Sequence, residues 1–420
     1  MPLPFLAFSD RRGRIYSHPY LRMACGSANF SLPAISELVI APKNTAFFYM
    51  PGRKPAGFDL STKRFEILTH FEGKEVFAVS AFLPPAWLRL CNPAFVVSKK
   101  KSLPLWAYTA CGFKKDKFVV AAMRIDRHNH QEARFYDCKK IKAAVAVFLK
   151  HFPENRLYRH LAHCALNYNC LNAKNLFLQR WEAGIPASMY CNARCLGCIS
   201  LQKNSPVPAS HERLNFTPTV DEIKEVMVNH LQNGFKPIIS FGQGCEGEPL
   251  LQSANIADAL IMTRRQTTRG TVHMNTNGSI PDRIRDLCRA GMDSFRFSLN
   301  SADEKMYDLY FRPQGYKFGD VAKSITIAKK YKKFVSVNLL TFPGFTDSDK
   351  EVNALVKFIK DTEIDMVQWR NLNIDPAYYL EQVPHKGFKP LGLLKAIKLL
   401  RKKFPHLKHG YFNLGKSDFL

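Results

Sequence analysis

Cys191, Cys195 and Cys198 form the tightest cysteine group in the chain, spaced Cys-x3-Cys-x2-Cys. Three thiolates on one short loop can hold three irons of a [4Fe–4S] cluster and leave the fourth iron open to a ligand. A closed structural zinc site, as in a zinc knuckle, wants a fourth protein ligand. No Cys or His occurs in 199–209, and the first one after that is His211. A second constellation lies at 241–250, where glycines surround Cys245, Glu246 and Glu248. Glycines let the backbone approach a ligand closely, and a carboxylate such as Glu248 can accept from an ammonium group. Pro249 also suits the first turn of a helix, which is compatible with that role. Cys245 beside it could donate a hydrogen atom, bind a second metal or simply pack.

Polar residues recur at the ends of the apolar runs that follow. One run ends in Asn275, Asn277 and Gly278, the next in Ser298 and Asn300. Asn-Gly is also a turn signal. Ser298 and Asn300 alternate out of an apolar strand, so they share one face and suit hydrogen bonds to a ligand. A turn at Pro343, Gly344, Thr346 and Asp347 follows, then Gln368, Arg370 and Asn373. Arg370 suits an anionic group, and with Cys245 it is a candidate catalytic residue. Upstream, His160, His163 and Cys164 would share a helix face, with Cys170 beyond them. A packed helix is expected there, with a metal site as the competing reading.

The elements that position these residues alternate. Strand-like runs at 184–189, 237–241, 271–275, 294–299, 334–340 and 365–370 are separated by helical runs at 219–231, 256–263, 281–290, 320–331 and 347–360. Thr219 with Glu222 fits a capping box. Six such units in series argue for an α/β fold, a partial (β/α)6 TIM-like barrel over 180–375, with its chemistry at the C-terminal strand ends. Residues 1–175 have short apolar runs at 37–41, 46–50, 76–79 and 117–123, broken by turns, then helical stretches at 139–151 and 156–171. They read as an N-terminal α+β or mainly β accessory domain. Residues 376–420 read as a C-terminal helical extension, with a basic amphipathic helix at 391–403. Its Leu393, Leu394, Ile397, Leu399 and Leu400 would form a core face.

The 420 residues are 46% hydrophobic and 23% charged, which excludes a wholly disordered chain. No apolar run is long enough to span a membrane, and the first fourteen residues lack the pattern of a secretory signal. Eleven cysteines cannot all pair within the chain, which suits a reducing compartment, so a cytoplasmic protein is expected. The net charge is +26. Residues 1–180 carry 28 basic and 11 acidic residues, a net +17, against 33 and 24, a net +9, in 181–420. Such an excess favours an anionic partner such as RNA, or is a solvated basic surface. The exposed-looking basic and aromatic stretches at 11–16 and 114–118 point the same way. A non-catalytic nucleic-acid-binding protein with a zinc or iron–sulfur sensor loop is the alternative from another class.

Cys191, Cys195 and Cys198 after the first strand of a βα barrel resemble the signature of the radical SAM superfamily, over about 180–375. The resemblance implies an enzyme whose [4Fe–4S] cluster binds and reductively cleaves S-adenosylmethionine, releasing a 5′-deoxyadenosyl radical. It implies that Gly247 and Glu248 hold the methionine amino group, and that Asn277, Ser298 and Asn300 line the ribose and carboxylate. The Gly344 turn would lie against adenine. Glu246 stands where the family's motif has a glycine. Gly197 stands where members carry an aromatic residue, so adenine stacking would fall to Tyr190. The resemblance also implies an external flavodoxin- or ferredoxin-like electron donor. No cysteine follows Cys288, so it implies no auxiliary-cluster extension of the SPASM or twitch type. RNA, a peptide or protein, and a small metabolite remain open as substrates.

Overall fold

The computed structural model describes residues 3–26, 29–202, 205–384 and 387–419. Of the first fourteen residues, read above against a secretory signal, Met1 and Pro2 lie outside the described residues, and Phe5–Ser9 is a strand inside the N-terminal sheet. That sheet has eleven strands, all paired antiparallel. Short turns explain this arrangement, since antiparallel neighbours need only tight connections. Three helices follow: α1 (Cys138–His151), α2 (Arg156–Leu166) and α3 (Leu171–Phe177). The single helix expected over 156–171 is broken because Asn169 takes a left-handed conformation (φ 54°).

The second sheet is wholly parallel: β1 (Arg180–Gly184), β2 (Phe235–Phe241), β3 (Thr271–Thr276), β4 (Ser294–Leu299), β5 (Phe334–Thr341), β6 (Met366–Asn371) and β7 (Lys408–Gly410). It forms a partial barrel. The first strand lies earlier than 184–189, because Pro186 has no N–H to continue the ladder. Around the sheet run α4 (Val220–Asn233), α5 (Ser253–Gln266), α6 (Pro281–Ala290), α7 (Glu304–Phe311), α8 (Phe318–Lys330) and α9 (Asp349–Thr362). The Thr219–Glu222 capping box forms in both directions. After β6 come α10 (Pro376–Gln382) and α11 (Leu393–Lys403). The tail therefore contributes a seventh strand as well as helices. Leu393, Ile397 and Leu400 of α11 are buried, but Leu399 is 41% exposed and off the core face.

Strand parity sorts the barrel's chemistry. Ala183, Ile239, Val272, Phe295, Val335 and Val367 are buried in one apolar cluster with helix residues such as Ile223, Leu260, Leu287 and Ile325. The opposite parity carries Glu182, Ser240, His273, Asn275, Arg296, Ser298, Asn338, Gln368 and Arg370, brought side by side by the strand register. The lumen is thus lined by polar groups. Asn413 of the tail accepts from Gln368 on β6 at 2.9 Å and donates to Glu182 on β1 at 2.8 Å, linking the two sides of the partial barrel.

Candidate active site at the C-terminal strand ends

The cysteine loop leaves β1 and folds over the barrel mouth. Its backbone is held by α7: Arg194 N–H donates to Phe311 O at 3.0 Å and Leu196 N–H to Tyr310 O at 3.0 Å. Burial raises all three thiols above their ordinary value, Cys191 to about 12, and neighbouring sulfurs add to the shift of Cys191 and Cys195. Metal binding would have to displace those protons. Among the described residues, these sulfurs do not form a group within 4.8 Å of one another, whereas His160, Cys164 and Cys245 do. A single tetrahedral zinc needs its sulfurs roughly 3.8 Å apart. The wider set fits a multi-iron cluster, which takes one thiolate on each of several irons.

The loop after β2 is built around two buried carboxylates. Glu246 Oε1 accepts from Gly242 N–H and Gln243 N–H, both at 2.7 Å. Its Oε2 accepts from Ala187 N–H at 2.7 Å and Ser188 N–H at 3.2 Å. Glu246 therefore laces the β1 and β2 loops together, which explains a carboxylate where a glycine was expected. Burial pushes it up to about 7, against four donors that favour its anion. Gly247 packs so closely that a Cβ would lie 1.9 Å from Tyr190 O. Glu248 accepts from Thr276 Oγ1 at 2.5 Å, Leu250 N–H at 3.1 Å and Asn277 N–H at 2.9 Å. Burial raises its carboxyl to about 7 too. It also influences Cys191 electrostatically, so the acid and the cysteine loop share one site.

Asn277 is buried, donating to Asn192 Oδ1 at 2.8 Å, and so ties the third strand end to the cysteine loop. Asn300 is buried and donates to Met306 O at 3.1 Å. Ser298 is half-buried on the lumen side. Gly344 is exposed with φ 88°, its N–H on Asp347 Oδ1 at 2.6 Å. Tyr190 is 64% exposed beside Cys191, leaving its ring free. Arg370 donates to Tyr411 O at 3.1 Å and lies over the Tyr411 ring. Arg296 donates to Gln368 Oε1 at 2.7 Å, and the proximity of Arg370 contributes to a lowering of its pKa that burial dominates. Two guanidinium groups thus share the lumen.

Cys245 does not join this group. It is buried, and its thiol interacts with Cys164 of α2. His163 is exposed and packs on Tyr168, away from that pair. Several residues escaped sequence reasoning. Tyr307, Tyr310 and Tyr316 lie near enough to Cys195 to interact with it electrostatically, with Tyr307 and Tyr316 sharing a hydroxyl–hydroxyl bond of 3.1 Å. Arg213 and Gln202 approach Cys198. Asn338 turns a buried, unpartnered Oδ1 toward the lumen next to Ser298. A polar residue alternating within an apolar strand was the available signal for Arg296 and Asn338.

Residues 185–356 match the model of the Radical SAM superfamily. The chain is 26% identical over 190 residues to a GTP 3′,8-cyclase of Thermodesulfovibrio yellowstonii, covering 43% of this chain and 56% of that protein. The matched region thus spans little more than half of that relative's length. Similar solved structures include methylornithine synthase (PylB), 16% identical with a TM-score of 0.38 over 56% of this chain and 68% of that one. Another is Streptococcus suis SuiB bound to its precursor peptide SuiA, 16% identical with a TM-score of 0.39 over 64% and 62%.

Proposed function

Taking residues 185–356 as a radical SAM superfamily domain, we propose that this chain cleaves S-adenosylmethionine and directs the radical at an anionic substrate in the barrel lumen. The observation that carries the reading is the meeting of Cys191, Cys195 and Cys198 with Glu248 and Asn277 at one barrel mouth. A [4Fe–4S] cluster held by Cys191, Cys195 and Cys198 would supply the electron that cleaves the sulfonium bond of S-adenosylmethionine and so the radical chemistry directed at the substrate.

The residues divide the remaining work. Glu248, held on two backbone N–H groups and Thr276, offers its free lone pair to the methionine ammonium. Gly247 brings the loop backbone against the cysteine loop. Asn277, Ser298 and Asn300 face the ribose and carboxylate, the exposed Gly344 turn faces adenine, and Tyr190 supplies a ring to stack on it. Arg370 and Arg296 orient an anionic group of the substrate. In this reading Cys245, enclosed with Cys164, takes no part in hydrogen transfer.

The two lumen arginines favour a nucleotide-type substrate, and the GTP 3′,8-cyclase relative supports that class. RNA would present the same chemistry in a polymer. Lys99, Lys100, Lys101, Lys115 and Lys117 of the N-terminal module are exposed and would supply its docking surface. All eleven cysteines are free, which suits a reducing cytoplasm and an external flavodoxin- or ferredoxin-like donor.

The test is anaerobic. Reconstituted protein is given S-adenosylmethionine and a strong reductant, with nucleoside triphosphates, RNA or peptide in separate arms, and 5′-deoxyadenosine is quantified. Reductant-dependent product from the wild type, absent from the triple Cys191→Ala/Cys195→Ala/Cys198→Ala variant, supports the reading. The arm that raises the yield identifies the substrate class. Zinc in place of iron in protein purified without oxygen overturns it in favour of a non-catalytic metal site.

A further inference from the structure

His160 and Cys164 stand one helical turn apart on α2, and Cys245 comes to them from the loop after β2. The Cys164 sulfur lies 3.5 Å from His160 Nε2, and the three ligand atoms all lie within 4.8 Å of one another. Cys164 and Cys245 are buried and His160 is half-buried. We propose that His160, Cys164 and Cys245 bind a zinc ion, a second metal centre separate from the cysteine loop.

The spacing is that of zinc. Bonds of about 2.3 Å to sulfur and about 2.1 Å to nitrogen, at tetrahedral angles, place sulfur and nitrogen roughly 3.5 Å apart. A nitrogen and two sulfurs are a donor set that zinc favours. The charges also close: two thiolates and a neutral imidazole balance a divalent ion, so the buried centre carries no net charge. Binding releases the two thiol protons. His211 and Cys170 flank the group electrostatically, and His211 Nδ1 lies 3.8 Å from the position a Cβ on Gly244 would take. Either could supply a fourth ligand on a small side-chain movement.

The place in the fold gives the ion a job. Cys245 lies between Gly242 and Glu248, the segment that carries both buried carboxylates. His211 N–H donates to Ile199 O at 3.0 Å, just past Cys198, and Leu214 N–H donates to Cys245 O at 2.7 Å. A zinc here would pin α2 to the β2 loop behind the cysteine loop and fix the position of Glu246 and Glu248. It would take no part in electron transfer, because zinc has no redox chemistry.

The test counts metals in the full chain carrying Cys191→Ala/Cys195→Ala/Cys198→Ala, where no cluster competes. About one zinc per chain should remain after mild chelation, falling at least about tenfold on adding His160→Ala or Cys245→Ser. Cobalt exchanged into the same protein should give the intense visible bands of a tetrahedral sulfur-ligated ion, lost in the same two variants. Zinc below about one-tenth per chain after anaerobic loading, or Cys164 and Cys245 recovered as a disulfide from protein kept reduced, overturns the proposal. So does zinc retained unchanged in both variants. If Cys245→Ser fails to fold, His160→Ala decides, since it removes one ligand at a half-buried position.

Discussion

Arg53 donates to Asp375 across 2.6 Å, with side chains only 3% and 2% exposed, joining the N-terminal sheet to the segment after β6. Asp375 also caps α10 through Ala377 N–H at 3.0 Å and accepts Leu103 N–H at 3.3 Å. Nearby, Asn371 Nδ2 donates to Trp87 O and Asn371 Oδ1 accepts from Arg89 N–H, both at 2.9 Å. Asn92 donates to Pro343 O at 3.1 Å, on the turn that contains Gly344. The accessory sheet is therefore fastened to the fifth and sixth strand ends, beside the proposed adenine turn.

Removing one partner of this buried pair leaves an unpaired charge. Asp375→Ala should cost about 3–5 kcal/mol in urea unfolding. The double variant Arg53→Met/Asp375→Leu should recover only part of that loss, since the α10 cap and the Leu103 N–H and Lys99 and Lys101 carbonyl bonds go with it. A cost below about 1 kcal/mol for the single variant would show the pair to be dispensable.

Gly247→Ala tests the contact between the two loops. The new Cβ would sit 1.9 Å from Tyr190 O, and backbone must move to admit it. Iron bound per chain after reconstitution should fall several-fold, and 5′-deoxyadenosine formation at least about tenfold. Secondary structure by circular dichroism should be unchanged. Normal iron content and turnover would mean the loops do not depend on this packing.

Much of this site was legible because its residues are punctuated by sequence. The cysteine spacing, the Gly247–Pro249 segment and the alternation of Ser298 with Asn300 all mark loops or strand ends. Strand positions were legible through apolar runs, and the misplaced first strand traces to Pro186. What escaped depends on tertiary placement. Glu246 reads as a broken motif until its four backbone donors are seen from both loops. Cys245 reads as a neighbour of the ligand site, yet its thiol turns to a helix 81 positions earlier, at Cys164. The three tyrosines around Cys195 come from the segment between β4 and α8, whose sequence resembles an ordinary apolar helix.

Glu222 gives a pH signature. It holds Arg156 through two bonds of 2.7 Å and caps α4, and these bonds keep its carboxyl near 2, below its ordinary 4.5, despite the opposing effect of burial. A depressed native value stabilises above the unfolded value and is lost as pH falls through the native one. The contribution, about 1–3 kcal/mol, should therefore be complete above about pH 5 and fade toward pH 2. The stability difference between wild type and Glu222→Gln should be largest near neutral pH and shrink across that window. A difference that does not vary between pH 7 and pH 2.5 would show that the carboxylate charge is not what Arg156 reads.

Gly197 sits where another side chain already fills the space. A Cβ there would lie 3.0 Å from the Tyr310 hydroxyl and 3.2 Å from Asn373 O, so the space beside the third cysteine is already taken. Tyr310 is buried, and its ring comes from α7, which also holds the cysteine loop backbone. An aromatic at 197 cannot enter without displacing it. Gly197→Phe alone should lower iron retention and weaken S-adenosylmethionine binding at least about tenfold, by overpacking. Gly197→Phe/Tyr310→Ala should regain part of both, because the deleted ring frees volume in the same place. Tyr190→Ala should weaken S-adenosylmethionine binding with iron content unchanged, since its exposed ring is free to stack. Equilibrium binding on reconstituted protein separates the cases. If Gly197→Phe binds as well as wild type, Tyr310 does not occupy the place of the missing aromatic. If Tyr190→Ala binds unchanged, adenine rests on the Gly344 turn alone.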